Sequence, residues 1–470
     1  MKIHVVKRGD ILWRIAQQYN ADLNEIVLAN EIKDPSALVV GQALVIPERG
    51  REYVVQAGDS LEEISRRLNI PVESLASVNN ITNPSLIYIG EVLQLPYTTH
   101  QVQPGESLWQ IAKRYGITVN ELAAVNGIAN PSLINQGQML RIPLPKKPTK
   151  EVNAYTTEIN EQGAEEVLVL GRNFTYLSPF MHRVKEDGTI SALQDTTILD
   201  AARTTKVSPL LVITNFKNRK FDSDLAAAVL RNADVQDKLL TNIVSTMKGK
   251  GYRGLNIDFE YVYPEDRENY NAFLRKTVSR LHPEGFTVST ALAPKERGEQ
   301  QGLLYEAHDY KAQGQIVDFI ILMTYEWGWA GGEPRAIAPL NKVKDILDYA
   351  VTVIPRDKVV VGMPLYGRDW KIPWVQGTFA TSVSPQQAVQ LALKYGAAIQ
   401  YDMVAQSPFF RYTDENGQQH EVWFEDARSM AAKYKLVQDY GLRGVSYWVL
   451  GNDFPQNWAV LRDHFTIKKI

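Results

Sequence analysis

The spacing of apolar residues changes about one third of the way along the chain. Up to residue 143, short β-type runs alternate with pairs of amphipathic segments whose apolar residues lie three or four positions apart, as at Leu108, Ile111 and Ala112. Beyond residue 150, β-branched runs alternate with single, longer helical stretches. The sequence therefore predicts small α+β units followed by a larger α/β domain.

The first third of the chain consists of three copies of one unit. Gly9, Gly58 and Gly105 correspond at offsets of 49 and 47 residues, and the same offsets relate the asparagines and prolines that follow them. In each copy a strand leads into a Gly-Asp or Gly-Glu turn, and Ser60 and Ser107 are placed to cap the next helix. A second helix and a second strand complete each unit, so we predict three βααβ domains. The predicted domains span residues 1–48, 51–97 and 98–145, with a proline- and lysine-rich linker at 146–150.

Eight candidate strands beyond the linker favour a (β/α)8 TIM barrel at residues 151–470. A doubly wound parallel sheet is the alternative, but no glycine-rich phosphate loop follows the first strand. The stretch between the seventh and eighth strands, about 372–437, is too long for a simple βα unit, so we predict an inserted α+β subdomain there. The strands are predicted at residues 152–156, 174–180, 210–214, 254–260, 287–291, 319–325, 359–364 and 444–450.

The fourth predicted strand has an alternating pattern that separates apolar from polar side chains. Burying an unpaired carboxylate inside a barrel costs free energy. A purely structural role therefore explains poorly why Asp258 and Glu260 would both lie there. The polar face therefore predicts either a functional site or a strong hydrogen-bond network inside the barrel. Leu255, Ile257 and Phe259 share one face, and Asn256, Asp258 and Glu260 share the face that points into the barrel.

Composition narrows the possible partners and cofactors. The chain has 51 Lys plus Arg against 53 Asp plus Glu and no long basic block, so we do not expect it to bind nucleic acid. No apolar run is long enough to cross a membrane, and the N-terminus lacks the apolar region of a secretory signal. Cysteine is absent, the seven histidines are scattered and no acidic calcium loop occurs, so we expect no metal and no cofactor. The sequence leaves the oligomeric state open.

The N-terminal repeats resemble the LysM family of peptidoglycan- and chitin-binding domains. The resemblance rests on G-[DE]-[ST]-L-x-x-I-A after the first strand and on N-x-I-x-[ND]-P-x-x-I-x-x-G-[QE]-x-L-x-[IL]-P before the last. In that family the two loops form a shallow groove for N-acetylated sugars, although turn formation alone also explains these residue types. The implied glycan-binding residues are Gly9, Asp10, Asp34 and Pro35 in the first copy, Gly58, Asp59, Asn83 and Pro84 in the second, and Gly105, Glu106, Ser107, Ile128, Asn130, Pro131 and Leu133 in the third.

The second repeat departs from the other two at one position. Glu62 stands where the first and third copies have Trp13 and Trp109. We therefore expect the second copy to bind glycan less well or not at all. Three linked weak sites suit an extended polymer, because each further contact on the same strand is intramolecular.

The rest of the chain resembles the family 18 glycoside hydrolases, the chitinase-like barrels. The fourth strand follows the family pattern D-G-x-x-D-x-D-x-E in part: Asp258 and Glu260 are retained, whereas Arg253 and Asn256 replace acidic residues. M-T-Y-E-W at residues 323–327 is similar to the family's sixth-strand motif, and G-M-P-L-Y-G-R at 362–368 is similar to its seventh-strand motif.

This resemblance implies a retaining mechanism in which the 2-acetamido group of the substrate replaces an enzyme nucleophile. Glu260 is implied as the acid and base, and Asp258 as the group that orients the acetamide. Trp448 is implied as the floor of the sugar site, although buried aromatic residues are often plain core. The implied catalytic residues are Glu260, Asp258, Tyr325 and Asn256, the implied substrate-binding residues are Trp448, Glu326, Trp327, Tyr366, Arg368 and Met323, and looser candidates are Trp329, Trp370 and Trp374.

LysM repeats joined to such a barrel resemble the cortical fragment-lytic N-acetylglucosaminidases of endospore-forming bacteria. The resemblance implies a peptidoglycan hydrolase that cleaves the β-1,4 bond after N-acetylglucosamine in the spore cortex during germination. It also implies a location in the coat or cortex region of the spore, or otherwise at the cell wall, without classical export. A chitinase remains an alternative, as does a non-catalytic wall-binding lectin or spore-coat protein.

Overall fold

The computed structural model describes residues 1–470 except Arg49, Thr82, Pro145 and Lys146. The predicted start of the linker at residue 146 therefore lies outside the described residues. Three small units of strand, helix, helix and strand precede the large domain, and in each unit the two strands pair antiparallel. Their elements are Lys2–Val5, Leu12–Tyr19, Leu23–Ala29 and Ala43–Ile46 in repeat 1, Glu52–Val54, Leu61–Leu68, Val72–Val78 and Val92–Gln94 in repeat 2, and Tyr97–Gln101, Leu108–Tyr115, Val119–Val125 and Met139–Pro143 in repeat 3.

Short polar contacts explain why each repeat closes in this way. Ser60 and Ser107 both form capping boxes at the start of the first helix, as predicted. Asn30 then ties the second helix to the last strand: its Nδ2 donates to the carbonyls of Ile26 and Val45, and its Oδ1 accepts from the Val45 amide at 2.8 Å. Asn79 and Asn126 make the same contacts in the other repeats, so this asparagine is structural.

Eight parallel strands close into a barrel, which confirms the predicted TIM barrel and excludes the doubly wound sheet. Neighbouring strands pair in chain order, the eighth pairs with the first, and the third pairs with the fourth from Leu210↔Gly254 to Thr214↔Asp258. The strands are Thr149–Thr156, Tyr176–Pro179, Ser208–Thr214, Gly254–Asp258, Thr287–Leu292, Phe319–Leu322, Val359–Pro364 and Gly444–Trp448.

Helices surround the barrel, and their apolar faces pack against the outside of the sheet. No helix among the described residues is long and apolar enough to span a bilayer. The α-helices are Glu161–Leu170, Thr196–Thr204, Ser223–Leu230, Ala233–Lys250, Arg267–Leu281, Tyr310–Ile316, Leu340–Val353, Ala427–Asp439 and Pro455–His464. Short 3-10 turns occur at Gly171–Asn173, Pro264–Asp266, His282–Glu284 and Arg356–Lys358, and short strands at His182–Arg183, Phe216–Lys217, Lys220–Phe221 and Thr466–Ile467.

The insertion between the seventh and eighth strands is an antiparallel sheet of five strands with one helix. It starts earlier than residue 372, because its first strand begins at Gly367 and only two residues separate it from the seventh strand. It ends well before residue 437, because Ala427–Asp439 is a helix of the barrel. Its elements are Gly367–Ile372, Thr381–Val383, Pro385–Lys394, Gln400–Asp402, Ser407–Thr413 and Gln419–Trp423.

The first barrel strand begins at Thr149, three residues before the predicted start. Thr149 and Lys150 pair with Thr466 and Ile467 near the C-terminus, so the last two residues of the predicted linker belong to a sheet. The linker could not be recognised as sheet because its pairing partner lies more than 300 residues away along the chain.

Candidate active site

The polar face of the fourth strand lies inside the barrel, as the alternation predicts. The Tyr155 hydroxyl donates to Asn256 Oδ1 at 2.7 Å, and Asn256 Nδ2 donates to Ser289 Oγ at 3.0 Å. Leu255 and Ile257 point outward into the main hydrophobic core. A chain of hydrogen bonds therefore connects the first, fourth and fifth strands behind Asp258, and it holds Asn256 away from solvent.

Asp258 and Glu260 stand at the carboxyl end of the fourth strand. Only 5% of Asp258 is exposed, and its Oδ1 has no hydrogen-bond partner among the described residues. Burial raises the pKa of Asp258, because a charged carboxylate loses its hydration. Burial also raises the pKa of Glu260 well above its ordinary value, and the charges of Asp258 and Glu326 raise it further. The pair therefore keeps a proton where an exposed carboxyl would have lost it, as a general acid requires.

Two buried side chains hold the backbone that carries Glu260, beyond the last paired residue of the strand. Asn215 Oδ1 accepts from the Glu260 amide at 3.0 Å, and Asn215 Nδ2 donates to the Glu260 carbonyl at 2.8 Å. On the other side, His308 Nδ1 accepts from the Ala293 amide at 2.8 Å, so Nε2 carries the proton and donates to the Phe259 carbonyl at 2.9 Å. Burial lowers the pKa of His308 to about 4, which keeps the imidazole neutral.

The sequence-based site lacks both of these residues. Asn215 is the first residue after the third strand, and polar residues at this end of a barrel strand are typical of active sites, so its position was a usable signal. His308 lies in the loop between the fifth strand and the helix Tyr310–Ile316, and no pattern in the sequence marks it.

Tyr325 follows the sixth strand, and its ring lies against Gly362 of the seventh. A Cβ atom at position 362 would lie 2.7 Å from this ring and 2.6 Å from the Leu322 carbonyl oxygen, so only glycine leaves room for the ring. Burial, together with the charges of Asp258 and Glu260, raises the pKa of Tyr325 well above its ordinary value. The hydroxyl therefore stays protonated and can donate a hydrogen bond to a bound group.

Trp448 ends the eighth strand and remains partly exposed at the mouth of the barrel. Its ring packs edge-on against Tyr155 and Phe180, with centroid distances of 5.5 and 4.8 Å. Met323 packs in the same cluster inside the barrel. Neighbouring side chains thus fix the indole and leave part of its surface free for a sugar ring.

Glu326, Tyr366 and Arg368 form one polar unit beside this mouth. The Tyr366 hydroxyl and Arg368 both donate to Glu326 Oε1, Arg368 at 3.0 Å. The Arg368 guanidinium lies over the Tyr366 ring, 4.6 Å from its centroid, which adds a cation–π contact. Trp327 packs instead against the main hydrophobic core, and its backbone amide donates to the Ile337 carbonyl.

The three looser tryptophan candidates lie in different environments. Trp370 is buried, and its indole N–H donates to the Gly332 carbonyl at 2.9 Å, so its ring is not available to stack on a sugar. Trp374 is partly buried in the same apolar cluster. Trp329 is half exposed beside Phe379, with the rings edge to face.

The acidic residues of the first LysM loop are turned toward their own repeats. The Asp10 carboxylate accepts from the Lys7 amide at 2.7 Å and lies 2.9 Å from His4 Nε2. Asp59 makes the equivalent contacts with Gln56 and Tyr53, and Glu106 makes them with Gln103 and His100. Gly9, Gly58 and Gly105 all have positive φ, which the turn requires. These side chains therefore shape the loop.

The second LysM loop is also held by local hydrogen bonds. Asp34 Oδ1 accepts from the amide of Ser36 two residues on, and Asn83 and Asn130 repeat this turn with Ser85 and Ser132. Pro35 and Pro131 are exposed, whereas Pro84 is partly buried near the barrel. Ser107 caps its helix, Ile128 packs into the repeat's own core, and Leu133, Trp13 and Trp109 are exposed.

Comparison with known proteins decides which family this site belongs to. The model of "Glycosyl hydrolases family 18" matches residues 177–453, which contain Asp258, Glu260 and Trp448. The chain belongs to glycosyl hydrolase family 18. It is therefore a glycosidase, and the LysM domain model matches residues 4–47, 53–96 and 100–143, which confirms three LysM repeats.

Similar proteins of this family match the chain over its whole length. The cortical fragment-lytic enzyme of Bacillus subtilis (strain 168) is 46% identical over 474 residues, covering 100% of this chain and 99% of that protein. The crystal structure of the Bacillus cereus spore cortex-lytic enzyme SleL superposes with a TM-score of 0.78 at 41% identity, covering 100% of this chain and 98% of that one. The Bacillus megaterium QM B1551 enzyme of the same name gives 0.77 and 39%, covering 100% and 99%.

Proposed function

We propose that this family 18 glycosidase hydrolyses spore-cortex peptidoglycan as an N-acetylglucosaminidase. The carboxyl pair of buried Asp258 and partly buried Glu260, near Trp448, carries the proposal, because it combines a protonated carboxyl with an aromatic surface for a sugar. The substrate is inferred from the full-length relatives, which are a cortical fragment-lytic enzyme and a spore cortex-lytic enzyme. These names also support a location at the spore cortex, where we propose that the enzyme acts in germination.

In the first step the substrate's own acetamido group displaces the leaving group. Glu260 donates its proton to the glycosidic oxygen while the acetamido carbonyl oxygen attacks the anomeric carbon. The C–O bond to the leaving sugar breaks, and a bicyclic oxazolinium forms. Asp258 accepts a hydrogen bond from the acetamido nitrogen and stabilises the positive charge that develops there, while the protonated Tyr325 hydroxyl donates to the same group.

In the second step a water molecule opens the oxazolinium. Glu260, now a carboxylate, takes a proton from that water as its oxygen attacks the anomeric carbon from the face that the leaving group had occupied. The acetamide is restored, and two inversions give net retention. Asn215 and His308 hold the Glu260 backbone through both steps, so one carboxyl can serve first as acid and then as base.

This mechanism restricts which bond in peptidoglycan is cleaved. The sugar above Trp448 must bring a free 2-acetamido group, and muramic δ-lactam cannot, because its nitrogen is tied into a ring. Cleavage after N-acetylglucosamine is therefore the proposed reaction. The three LysM repeats would raise the affinity for a continuous glycan strand through multivalent contact.

Identification of the new reducing ends tests the proposal. The protein and its Glu260→Gln variant are incubated with spore-cortex fragments and with chitin, with Glu333→Gln, an exposed carboxyl, as matched control. Mass spectrometry should find reducing-end N-acetylglucosamine from cortex with the wild type and Glu333→Gln and none with Glu260→Gln. Turnover of chitin alone would support a chitinase, and no product from either polymer would support a wall-binding lectin or coat protein.

A further inference from the structure

One glycine occupies the same turn in all three LysM repeats but has three different environments. Gly41, Gly90 and Gly137 are related by the repeat offsets of 49 and 47, and all have φ between 83° and 88°. A Cβ atom at Gly41 would lie 1.8 Å from the Ile399 carbonyl oxygen, and one at Gly90 would lie 3.1 Å from the Leu28 carbonyl oxygen. At Gly137 such an atom would meet nothing within 4 Å. The turn of repeat 1 therefore packs against the insertion, and the turn of repeat 2 packs against repeat 1. The turn of repeat 3 is open.

The turn of repeat 1 is bonded to the catalytic domain on both sides of Gly41. The Ile399 amide donates to the Val40 carbonyl at 2.8 Å, and Arg428 donates to the Gly41 carbonyl at 3.1 Å. Ile399 belongs to the insertion, and Arg428 is the second residue of the barrel helix Ala427–Asp439 that follows it. One contact joins two backbones and the other joins a side chain to a backbone carbonyl, as is common within a single domain.

Val39 extends this contact into a hydrophobic core. It is 5% exposed and packs in one cluster with apolar residues of the insertion only. The Asn30 carbonyl, at the end of the second helix of repeat 1, accepts hydrogen bonds from Gln386 at 3.0 Å and from Gln456 at 3.3 Å. The other buried members of the cluster are Val383, Ala388, Ala392, Ile399, Phe410, Val422 and Phe424.

The same cluster lies behind Arg368 and Glu326, which form one wall of the active site. Val383 is the strand partner of Gly367, and a Cβ atom at Gly367 would lie 2.6 Å from Phe424 Cβ. The next residue, Arg368, binds Glu326, which directly follows Tyr325. A packed path therefore leads from Val39 of repeat 1 to the polar unit beside Glu260.

We propose that repeat 1 is a structural part of the catalytic unit and positions the Arg368–Glu326 wall of the active site. A repeat that only captures polymer would change binding to cortex and leave cleavage of a short substrate unaltered. Repeat 1 instead supports turnover of any substrate, while repeat 3, whose corresponding turn is open, is free to act as a binding module. The role of repeat 1 rests on the glycosidase activity proposed above.

The repeat symmetry provides a matched pair of variants, Gly41→Ala and Gly137→Ala. Both place alanine at a positive φ and bear the same local strain, so their difference reports the docked contact. The substrate is a soluble tetrasaccharide of alternating N-acetylglucosamine and N-acetylmuramic acid. Gly41→Ala should lower kcat/KM at least about tenfold, chiefly through kcat, whereas Gly137→Ala should change it less than about twofold. Glu260→Gln serves as the inactive control.

Amide hydrogen exchange tests the docking independently of activity. Gly41→Ala should speed exchange at Ile399 and in the insertion strands and leave exchange in the barrel strands unchanged. Gly137→Ala should not speed exchange at Ile399 or in the insertion. If Gly41→Ala does not fold, the double variant Gln386→Ala with Gln456→Ala, which removes both donors to the Asn30 carbonyl, replaces it. Equal exchange and equal kcat/KM in the two glycine variants would overturn the proposal. A wild type that cleaves neither tetrasaccharide nor cortex would instead refute the proposed function, while exchange would still report the docking.

Discussion

At the residue scale, the position of Glu260 depends on the side chain of Asn215. Replacing Asn215 with alanine removes both hydrogen bonds to the Glu260 backbone, which no strand pairing holds at that point. We expect kcat on cortex fragments to fall about 10- to 100-fold with little change in KM, because misplacing a catalytic group affects the transition state more than binding.

Asn173→Ala is the matched control for that variant. Asn173 is equally buried and accepts a hydrogen bond from Arg462 at 2.7 Å, but it lies at the opposite end of the barrel from Glu260. Both variants should lose stability by about 1–3 kcal/mol in thermal or urea unfolding. A loss of stability in both with equal kcat values would show that Asn215 has only a structural role.

Asp258 should reduce the stability of the fold above acidic pH. Burial raises the pKa of Asp258 to about 7, so the folded state binds its proton more tightly than the unfolded chain does. The free energy of unfolding therefore decreases as the pH rises from about 4 to about 7. Asp258→Asn abolishes activity but should increase the free energy of unfolding relative to wild type by more than about 1 kcal/mol at pH 8, and by much less at pH 4.

Asp195→Asn gives the opposite sign and serves as the control for this measurement. Asp195 is fully buried, which raises its pKa, but the interactions with His182, 3.7 Å away, and with Lys250 and Tyr252, which donate hydrogen bonds, outweigh burial and lower the pKa to about 2. Its charge therefore stabilises the fold above acidic pH, and Asp195→Asn should be destabilising at pH 8. Urea unfolding of the three proteins at both pH values checks both signs. An Asp258→Asn variant that is less stable than wild type at pH 8 would contradict the burial argument.

Much of the site could be predicted from single residues because the fourth strand alternates so regularly. Alternation places Asn256, Asp258 and Glu260 inside the barrel, and in the structure Asn256 and Asp258 are buried strand residues, whereas Glu260 lies just beyond the paired strand and is partly buried. It also places Arg253, an altered position in the motif, about 20 Å from Glu260 along the strand. Arg253 is exposed there, so it has no direct effect on the acid. The hydrogen bond from His308 to the Phe259 carbonyl could not be predicted, because it depends on the conformation of a loop.

At the scale of elements, the loop after the sixth strand adds a negative charge, that of Glu326, to the surroundings of Glu260. Burial raises the pKa of Glu260 most, the charge of Asp258 comes second, and the charge of Glu326 raises the pKa further. Glu326→Gln removes this charge and keeps an acceptor for Tyr366 and Arg368, so the pKa of Glu260 should decrease. Because the first step needs protonated Glu260, the high-pH limb of the kcat profile should move to lower pH.

The control for this variant lies a few residues away. Glu333→Gln alters an exposed carboxylate that pairs only loosely with Arg335, at 3.8 Å, and the pH profile should remain that of the wild type. A limb that stays in place in Glu326→Gln, or moves to higher pH, would contradict the assignment of Glu326 as a neighbouring charge.

The predicted elements agree with the structure where a local pattern determines them and differ where a distant partner does. All eight barrel strands lie where β-branched runs predict them. The fourth strand ends at Asp258 and not at residue 260, because Phe259 and Glu260 bond to side chains in place of a neighbouring strand. The insertion begins at Gly367 because Arg368 pairs with Ser382 and Trp423, a contact that no short sequence pattern reveals.

At the scale of the whole molecule, three repeats of similar sequence have different surroundings. Ala43 and Val45 of repeat 1 and Val54 and Val92 of repeat 2 belong to the same buried cluster as the barrel core, and Glu91 of repeat 2 pairs with Arg172. The buried residues of repeat 3 form a cluster of their own, and Tyr97 bonds to the Asn69 carbonyl of repeat 2. Internal repeats predict the fold of each unit, but docking depends on surface residues that the repeat pattern does not constrain.

This difference predicts two unfolding transitions. Repeats 1 and 2 should unfold together with the barrel, because their release would expose Val54 and Val92 and break the pair between Glu91 and Arg172. Repeat 3, with a small core of its own, should unfold separately at lower temperature. Differential scanning calorimetry of the full chain should therefore show a minor transition before the main one.

Homologous core variants assign the two transitions. Ile64 and Ile111 are fully buried at the same position of repeats 2 and 3, so the change to alanine removes the same atoms from similar cores, at a cost of about 2–5 kcal/mol. Ile111→Ala should lower or abolish the minor transition and leave the main one in place. Ile64→Ala should shift the main transition, since repeat 2 is held by the barrel. If both variants shift only the minor transition, repeat 2 is not part of the barrel's cooperative unit, and the docked interface is too weak to couple the domains.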